Sequence, residues 1–169
     1  CCIWKRTMLK TLRLYVVSAL LLASLSGCGM IDYFYLPPPE DTAQELYEAG
    51  RDAMQEKDYY SAIRYFGDLT ARYPFSPYTP QAEIGLGDAY FLNEDYLEAV
   101  DAYKEFEALH PRHEEIPYVY FQIGVASYKG FTSIDRPQPV VRDGLEYLYQ
   151  LQELYPGTVY AEKGREYIM

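Results

Sequence analysis

After residue 42, apolar and polar positions recur at helical spacing rather than in the strict alternation of a strand. In 96–106, five apolar residues stand at i, i+3, i+4, i+7 and i+10 and therefore share one face of a helix: Tyr96, Ala99, Val100, Tyr103 and Phe106. A polar turn at 93–95 precedes this helix, and Pro111 follows it, because proline cannot continue a helix. The pattern predicts an all-α fold built from helix–turn–helix units that end in proline.

The predicted helical pair repeats with a step of 37 residues. Gly50, Gly87 and Gly124 are separated by this step, and so are Phe66 and Tyr103. Four further matches share the offset: Asp58 with Asp95, Tyr59 with Tyr96, Ala62 with Ala99, and Pro74 with Pro111. Small residues on both helices predict a close approach of the pair, with aromatic side chains filling the space around it. Internal repetition of this length is typical of a stacked helical array.

We predict three such units and the beginning of a fourth, at 42–79, 80–116, 117–157 and 158–169. The third unit is longer, because Pro156 closes it 45 residues after Pro111 and its second helix is displaced by eight residues. Pro137 and Pro139 lie in the additional stretch, and we expect 129–141 to form an ordered excursion rather than a helix. The fourth unit stops after its first helix. We therefore expect the chain to be a fragment of a longer array.

The N-terminal segment has a different character. Residues 1–27 contain four basic residues and no acidic one, and 14–25 form an uncharged, mostly apolar run. This run is shorter than the roughly 20 residues that span a bilayer, but it is typical of the apolar core of a signal peptide. We interpret 1–27 as a signal peptide, with Met8 as an alternative start, and 28–41 as a proline-rich tether. Cys28 is either a lipidation site or a cysteine without a role after an ordinary signal peptide.

Charge and composition exclude several functions. The chain is 49% hydrophobic, with 15 basic against 25 acidic residues and a net charge of -10. Such a chain lacks the cationic patch that nucleic-acid binding requires, so we expect no nucleic-acid partner. No Gly-x-Ser-x-Gly string or convincing acid–base pair is present. We therefore predict neither an active site nor a cofactor.

Two patterns, a pair of histidines and two pairs of acidic residues, do not indicate a functional site. His110 and His113 flank Pro111 and Arg112, and no third ligand is nearby, so we expect a solvated loop and no metal. The paired acids at 94–95 and 114–115 fall in predicted turns. We interpret them as residues that promote solubility.

Several strings resemble known families. The second unit resembles the tetratricopeptide repeat, with its Leu-Gly, Tyr, Ala, aromatic and Pro positions at Leu86, Gly87, Tyr90, Ala99, Tyr103 and Pro111. Residues 25–28, Leu-Ser-Gly-Cys, resemble the lipobox of bacterial lipoproteins, which implies acylation of Cys28; Gly29 after it implies sorting to the outer membrane. The strings at 72–78 (Arg-Tyr-Pro-Phe-Ser-Pro-Tyr), 113–119, 135–137 and 155–160 resemble the BamD family of outer-membrane β-barrel assembly lipoproteins.

The resemblance to the BamD family implies a non-enzymatic scaffold that faces the periplasm from the outer membrane. Such a scaffold binds unfolded outer-membrane protein precursors, the BamA-like barrel-forming subunit and other assembly lipoproteins. The family has five repeats, so this chain would hold the first three and the start of the fourth. Two alternatives stay open: a repeat lipoprotein that pilots secretin, pilus or cell-wall components, and an enzyme whose catalytic domain lies beyond residue 169.

The repeat register also predicts a peptide-binding face, since the first helices of stacked units line the concave side. The ligand-facing positions are Tyr47, Arg51, Asp88, Phe91, Tyr118, Phe121 and Tyr128. Aromatic walls with few charges suit an extended apolar-aromatic peptide such as a barrel strand. Taken singly, each of these aromatic residues is more often explained by core packing than by contact with a ligand.

The loop at 72–78 extends the predicted peptide-binding set. We add its four residues Arg72, Tyr73, Phe75 and Tyr78, because a loop needs no such aromatic side chains for packing alone.

The lipidation site leads to a direct test. In the full-length protein, Cys28→Ala removes the thiol that accepts lipid, and we expect the precursor to stay unprocessed or to appear in the soluble fraction. Membrane fractionation with immunoblotting measures both effects. Unchanged recovery of the variant in the outer membrane would refute the anchor.

Overall fold

The computed structural model describes residues 41–133 and 139–168, with side chains described for 41–130 and 142–168. The predicted signal peptide, Cys28, the tether up to residue 40 and the string at 135–137 lie outside the described residues. Within the described ranges, no helix combines the length and apolar character needed to cross a membrane.

The described residues are helical and contain no strand, which confirms the all-α prediction. The helices are α1 (Ala43–Glu56), α2 (Tyr59–Arg72), α3 (Thr79–Leu92), α4 (Tyr96–Leu109), α5 (Ile116–Ser133), α6 (Pro139–Leu154) and α7 (Val159–Ile168). Three antiparallel pairs, α1–α2, α3–α4 and α5–α6, correspond to the three predicted units, and α7 is the first helix of the fourth. The first helices α3 and α5 begin at Thr79 and Ile116, one residue before the predicted unit boundaries.

Polar side chains start the helices of the first unit. Thr42 and Glu45 form a capping box: Glu45 N donates to the Thr42 hydroxyl (3.2 Å), and Thr42 N donates to the Glu45 carboxylate (2.8 Å). These hydrogen bonds lower the pKa of Glu45. Asp58 caps α2 by accepting from Ser61 N at 3.2 Å. Each cap thus satisfies one backbone N–H group that has no partner within the helix, and both helices begin directly after the capping residue.

The turn inside each of the first two pairs uses the same repeat position. Lys57 and Glu94 lie one 37-residue step apart, and both adopt a left-handed backbone, with φ of 62° and 67°. This conformation ends the first helix and reverses the chain within two or three residues, which lets the second helix return along the first. The repeat therefore extends to backbone geometry.

A glycine facing a large side chain sets the separation of each pair. A Cβ on Gly50 would lie 2.5 Å from Cε1 of Phe66, and one on Gly87 would lie 2.6 Å from Cε1 of Tyr103. In the third pair, Leu148 takes the same place against Gly124. Leu148 stands eight residues beyond the position that the 37-residue step predicts. The displacement of the second helix, predicted from the prolines, is therefore observed in the packing.

The additional residues of the third unit differ from the sequence prediction. We expected 129–141 to be a non-helical excursion, but α5 continues to Ser133 and α6 already begins at Pro139. Helix α5 has 18 residues, against 14 for α1 and α3. Pro139 is compatible with α6 because the first turn of a helix has backbone N–H groups without intrahelical partners, so proline loses no bond there.

The pairs stack so that the first helices follow one another on one side. Helix α2 packs on α3 and α4 packs on α5, while α7 packs on both α5 and α6. Helix α1 contacts α3 directly, and side chains of α3, α5 and α7 meet through Asp88, Tyr118 and Tyr160. This order matches the expected arrangement, with the leading helices side by side.

The glycine contacts predict opposite effects for two substitutions to alanine. Gly87→Ala places a methyl group into the buried Tyr103 ring, and overpacking of this kind costs about 1–3 kcal/mol. Gly67→Ala is the matched control, because it lies within α2 with nothing within 4 Å of its added Cβ; it should stabilise by about 0.5–1 kcal/mol through helix propensity. Urea unfolding of the full-length protein measures both. Equal stability of the two variants would contradict the packing described here.

Candidate functional site

A groove runs along the first helices of the units. It encloses about 510 Å³ and is built from α1, α3, the loop before α5, α5 and α7, with one contribution from α2. The residues that line it are Tyr47, Arg51, Met54, Gln55, Phe66, Gln81, Ile84, Gly85, Asp88, His113, Glu114, Glu115, Tyr118 and Tyr160. Because residues from all four predicted units contribute, the groove exists only when the units are stacked.

Aromatic rings form two parts of the groove wall. At one end, the Tyr47 ring lies 5.4 Å from Tyr78 and 6.2 Å from Phe66, measured between centroids. The Arg51 guanidinium carbon lies 6.0 Å from the centre of the Tyr47 ring. At the other end, Tyr118 and Tyr160 meet edge to face at 5.3 Å. These contacts hold the rings in place before any ligand arrives, which lowers the entropy cost of binding.

A hydrogen-bonded network surrounds Asp88 in the groove wall. The hydroxyls of Tyr103 and Tyr118 both donate to Asp88 Oδ1, each at 2.5 Å. Gln122 Nε2 donates to the same two hydroxyl oxygens, at 3.2 Å to Tyr103 and 3.0 Å to Tyr118. Each tyrosine oxygen thus accepts a hydrogen bond from the Gln122 amide, and each tyrosine hydroxyl donates its hydrogen to the Asp88 carboxylate. The network holds Asp88 as an acceptor.

Burial and charge shift the pKa values within this network. Burial raises the pKa of Asp88, and the hydrogen bonds from Tyr103 and Tyr118 oppose that rise. Burial, followed by the negative charge of Asp88, raises the pKa of both tyrosines. The two hydroxyls therefore stay protonated and remain donors at neutral pH.

The groove carries more charge than the sequence suggested. Glu114 and Glu115, interpreted above as residues that promote solubility, line it together with Asp88. Arg51 is the only Lys or Arg among the described residues of the lining. The expectation of aromatic walls with few charges is therefore wrong for this groove. The sequence misled because Glu114 and Glu115 precede α5, and only the stacking of units brings that loop to the groove.

The loop at 72–78 lines a separate cleft. Arg72, Tyr73 and Phe75 border a space of about 430 Å³ together with Thr42 and Ala43. The Phe75 side chain is 99% exposed. Tyr73 donates its hydroxyl to the Asp41 carbonyl at 2.7 Å, while the Tyr78 ring packs on Tyr47. Two of the three aromatic residues of the loop thus have packing partners, contrary to the reason for which we singled them out, and Phe75 alone is fully available.

The remaining predicted ligand-facing residues contact neighbouring helices. Phe91 packs against Tyr96 at 5.5 Å. Phe121 lies 6.1 Å from Tyr160, and Tyr128 lies 5.6 Å from Tyr167. Of the eleven residues predicted to bind peptide, four line the groove itself: Tyr47, Arg51, Asp88 and Tyr118. The structure therefore divides the predicted set among the groove, the cleft and contacts between helices, and a peptide-binding role for the set stays a prediction.

The described residues hold no group of three His, Cys, Asp or Glu side chains that converge as metal ligands. His110 instead pairs with Glu83, with Nε2 and Oε2 2.7 Å apart. Burial raises the pKa of Glu83, and the neighbouring His110 opposes that rise. The pair connects α3 with the end of α4.

Sequence reasoning missed Gln122 and the network it completes. Asp88 was singled out only by its repeat register, and Tyr103 only as a core aromatic residue. One signal was present: Arg51 and Asp88 occupy the same repeat position, and so do Tyr78 and Glu115. Residues at matched repeat positions occupy the same face of successive units. All four of these residues lie in the groove or beside it.

The stacked helical pairs define a tetratricopeptide-like helical-repeat fold. The sequence profile of the YfiO family, described as an outer membrane lipoprotein, matches residues 39–169. The chain belongs to this family. Together with this profile match, curated relatives named BamD confirm the resemblance to the BamD family inferred from local strings.

Curated relatives from several bacteria are described as outer membrane protein assembly factor BamD. The outer membrane protein assembly factor BamD of Vibrio cholerae is 30% identical over 135 residues, which cover 73% of this chain and 56% of that protein. The BamD of Caulobacter vibrioides is 24% identical over 151 residues, covering 89% of this chain and 50% of that protein. The chain therefore spans about half the length of the curated relatives it matches.

A solved structure supports the fold independently. A chain of the CopN-Scc3 complex superposes with a TM-score of 0.54 at 21% identity, over 82% of this chain and 72% of that one. At this identity the similarity shows the helical-repeat fold alone.

The Asp88 network predicts how two substitutions differ. Asp88→Leu leaves the buried Tyr103 hydroxyl without its acceptor, and we expect a loss of about 1–3 kcal/mol in the free energy of unfolding. Asp88→Asn keeps an acceptor oxygen and should lose less than half as much. Asp101→Leu, at an exposed position of α4, is the control and should stay within about 0.5 kcal/mol of the unsubstituted protein. Chemical unfolding measures all three, and equal losses for Leu and Asn at residue 88 would contradict the network.

Proposed function

We propose that this protein is an outer-membrane protein assembly factor of the BamD type, which binds unfolded outer-membrane protein precursors. The family match over residues 39–169 supports the assembly role. The groove formed by the first helices is the observation that carries the binding role, because it is elongated along the stack and lined by aromatic side chains. It is the feature of the described residues that best fits another chain as its ligand.

An extended strand segment suits this groove for a physical reason. Strands of outer-membrane barrels alternate apolar and polar residues and carry aromatic residues near the membrane interfaces. The rings of Tyr47, Tyr118 and Tyr160 offer flat apolar area with little entropy to lose. Exposed polar side chains at Gln55 and Gln81 border the same groove and can pair with the backbone of a bound segment.

The role is that of a binding scaffold rather than an enzyme. In the network around Asp88, the hydroxyls and the amide are committed to one another, which suits a rigid wall more than proton transfer to a substrate. Lipid attachment at Cys28 would hold the scaffold at the outer membrane, facing the periplasm. Docking on a BamA-like barrel-forming subunit and on other assembly lipoproteins completes the proposal.

Site-specific photo-crosslinking tests the binding role. Crosslinkers at Gln55 and Gln81 replace exposed groove residues, and we expect both to capture an unfolded barrel precursor in cells. A crosslinker at the exposed Phe75 tests whether the separate cleft also contacts the precursor. Glu98, exposed on α4 and outside the groove, is the control. Labelling at Gln55 and Gln81 no stronger than at Glu98 would exclude the groove as the binding site.

A further inference from the structure

The groove is lined by more acidic than basic side chains. Asp88, Glu114 and Glu115 line it, and Arg51 is the only cationic side chain among the described residues of its lining. The same groove contains the rings of Tyr118 and Tyr160. Aromatic faces and carboxylates both attract cations, the first through the ring quadrupole and the second through full charge.

The Asp88 carboxylate is held in a fixed position with capacity for a further partner. Both tyrosine hydroxyls donate to Oδ1 and the Gln122 side chain also interacts with the carboxylate, whereas an ionised carboxylate accepts about four hydrogen bonds over its two oxygens. The buried Tyr103 and the edge-to-face contact of Tyr118 with Tyr160 keep this acceptor from rotating away. A donor that enters the groove therefore meets an acceptor that needs no reorganisation.

The repeat register shows that this chemistry is specific to one unit. In the first unit, the positions that match Asp88 and Tyr103 hold Arg51 and Phe66. Phe66 fills the space beside its glycine as Tyr103 does, but it has no hydroxyl, and no carboxylate stands where Arg51 is. The hydroxyl and the carboxylate thus occur together in the second unit, and both are absent from the matched positions of the first. The groove is consequently basic at α1 and acidic around α3 and the loop before α5.

We propose that the groove selects unfolded segments that carry a lysine or arginine next to an aromatic residue, with the basic side chain directed at Asp88 and Glu115. This inference rests on the proposed peptide-binding function and adds its charge specificity. Asp88 is the specificity-determining residue. The aromatic neighbour packs on the rings of the groove wall, and the polarity of the groove sets the orientation in which the segment binds.

Peptide binding to the full-length protein tests the selection. The probes are three short fluorescein-labelled peptides of alternating Tyr and Thr that differ at one central position: Lys, norleucine, which keeps the apolar stem without the charge, or Glu. We expect the Lys peptide to bind about five-fold more tightly than the norleucine peptide in fluorescence anisotropy, and the Glu peptide to bind most weakly. The preference should shrink in about 0.5 M salt, where charges are screened over a few ångströms.

Protein variants assign the preference to its residues. In Asp88→Asn, which keeps an acceptor for both tyrosines, the ratio of the Lys and norleucine affinities should fall below about two. Glu115→Gln lies outside the tyrosine network and should lower the ratio without affecting folding. Glu98→Gln removes an acid outside the groove and should retain the full ratio.

Three results separate the charge specificity from peptide binding itself. Equal affinity for all three peptides would overturn the charge specificity and leave the groove as a peptide-binding site. A lysine preference that survives in both Asp88→Asn and Glu115→Gln would also overturn it, because the selecting charge would then lie elsewhere. Binding of none of the peptides would overturn the proposed peptide-binding function and this inference together.

Discussion

The close contact between a glycine and a large buried side chain is the constraint on which the rest of the structure depends. Gly50 faces Phe66, Gly87 faces Tyr103, and Gly124 faces Leu148. Each glycine removes the Cβ that would otherwise separate the paired helices, and the large side chain then fills the space. Since dense packing tolerates neither a void nor an overlap, the distance between paired helices is set within narrow limits. The stacking of successive pairs, and the groove along their first helices, follow from that distance.

Core packing and groove chemistry meet in one residue of the second unit. The Tyr103 ring fills the space beside Gly87, and its hydroxyl reaches Asp88, the next residue along α3. A change in the separation of α3 and α4 would therefore move the carboxylate in the groove. In the first unit, Phe66 performs the packing task without a hydroxyl, and Arg51 stands at the matched position. The same scaffold thus carries different chemistry in adjacent units, because one core side chain gains a hydroxyl and the matched groove residue changes from Arg51 to Asp88.

Membership in the YfiO family and the geometry of the groove both support the proposal that the protein is a scaffold for other chains. Helical repeats supply an elongated surface, and a surface of this kind suits a ligand that is itself an extended chain. The exposed Phe75 and its cleft lie apart from the groove. In the described part of the chain, the cleft is therefore a second surface with an exposed aromatic side chain, and the groove is the one with fixed hydrogen-bonding groups.

The local sequence pattern was sufficient to predict the helices, the 37-residue period and the close approach of paired helices at the glycines. These features depend on neighbours three, four or a few tens of residues away, and such neighbours leave a periodic trace in the chain. The extent of α5 and α6 could not be obtained in this way, because Pro139 is compatible with both a loop and the first turn of a helix. Which side chains share the groove was decided by tertiary structure. Glu115, Asp88 and Arg51 come from separate elements, and only the stacking of complete pairs brings their charges to one surface.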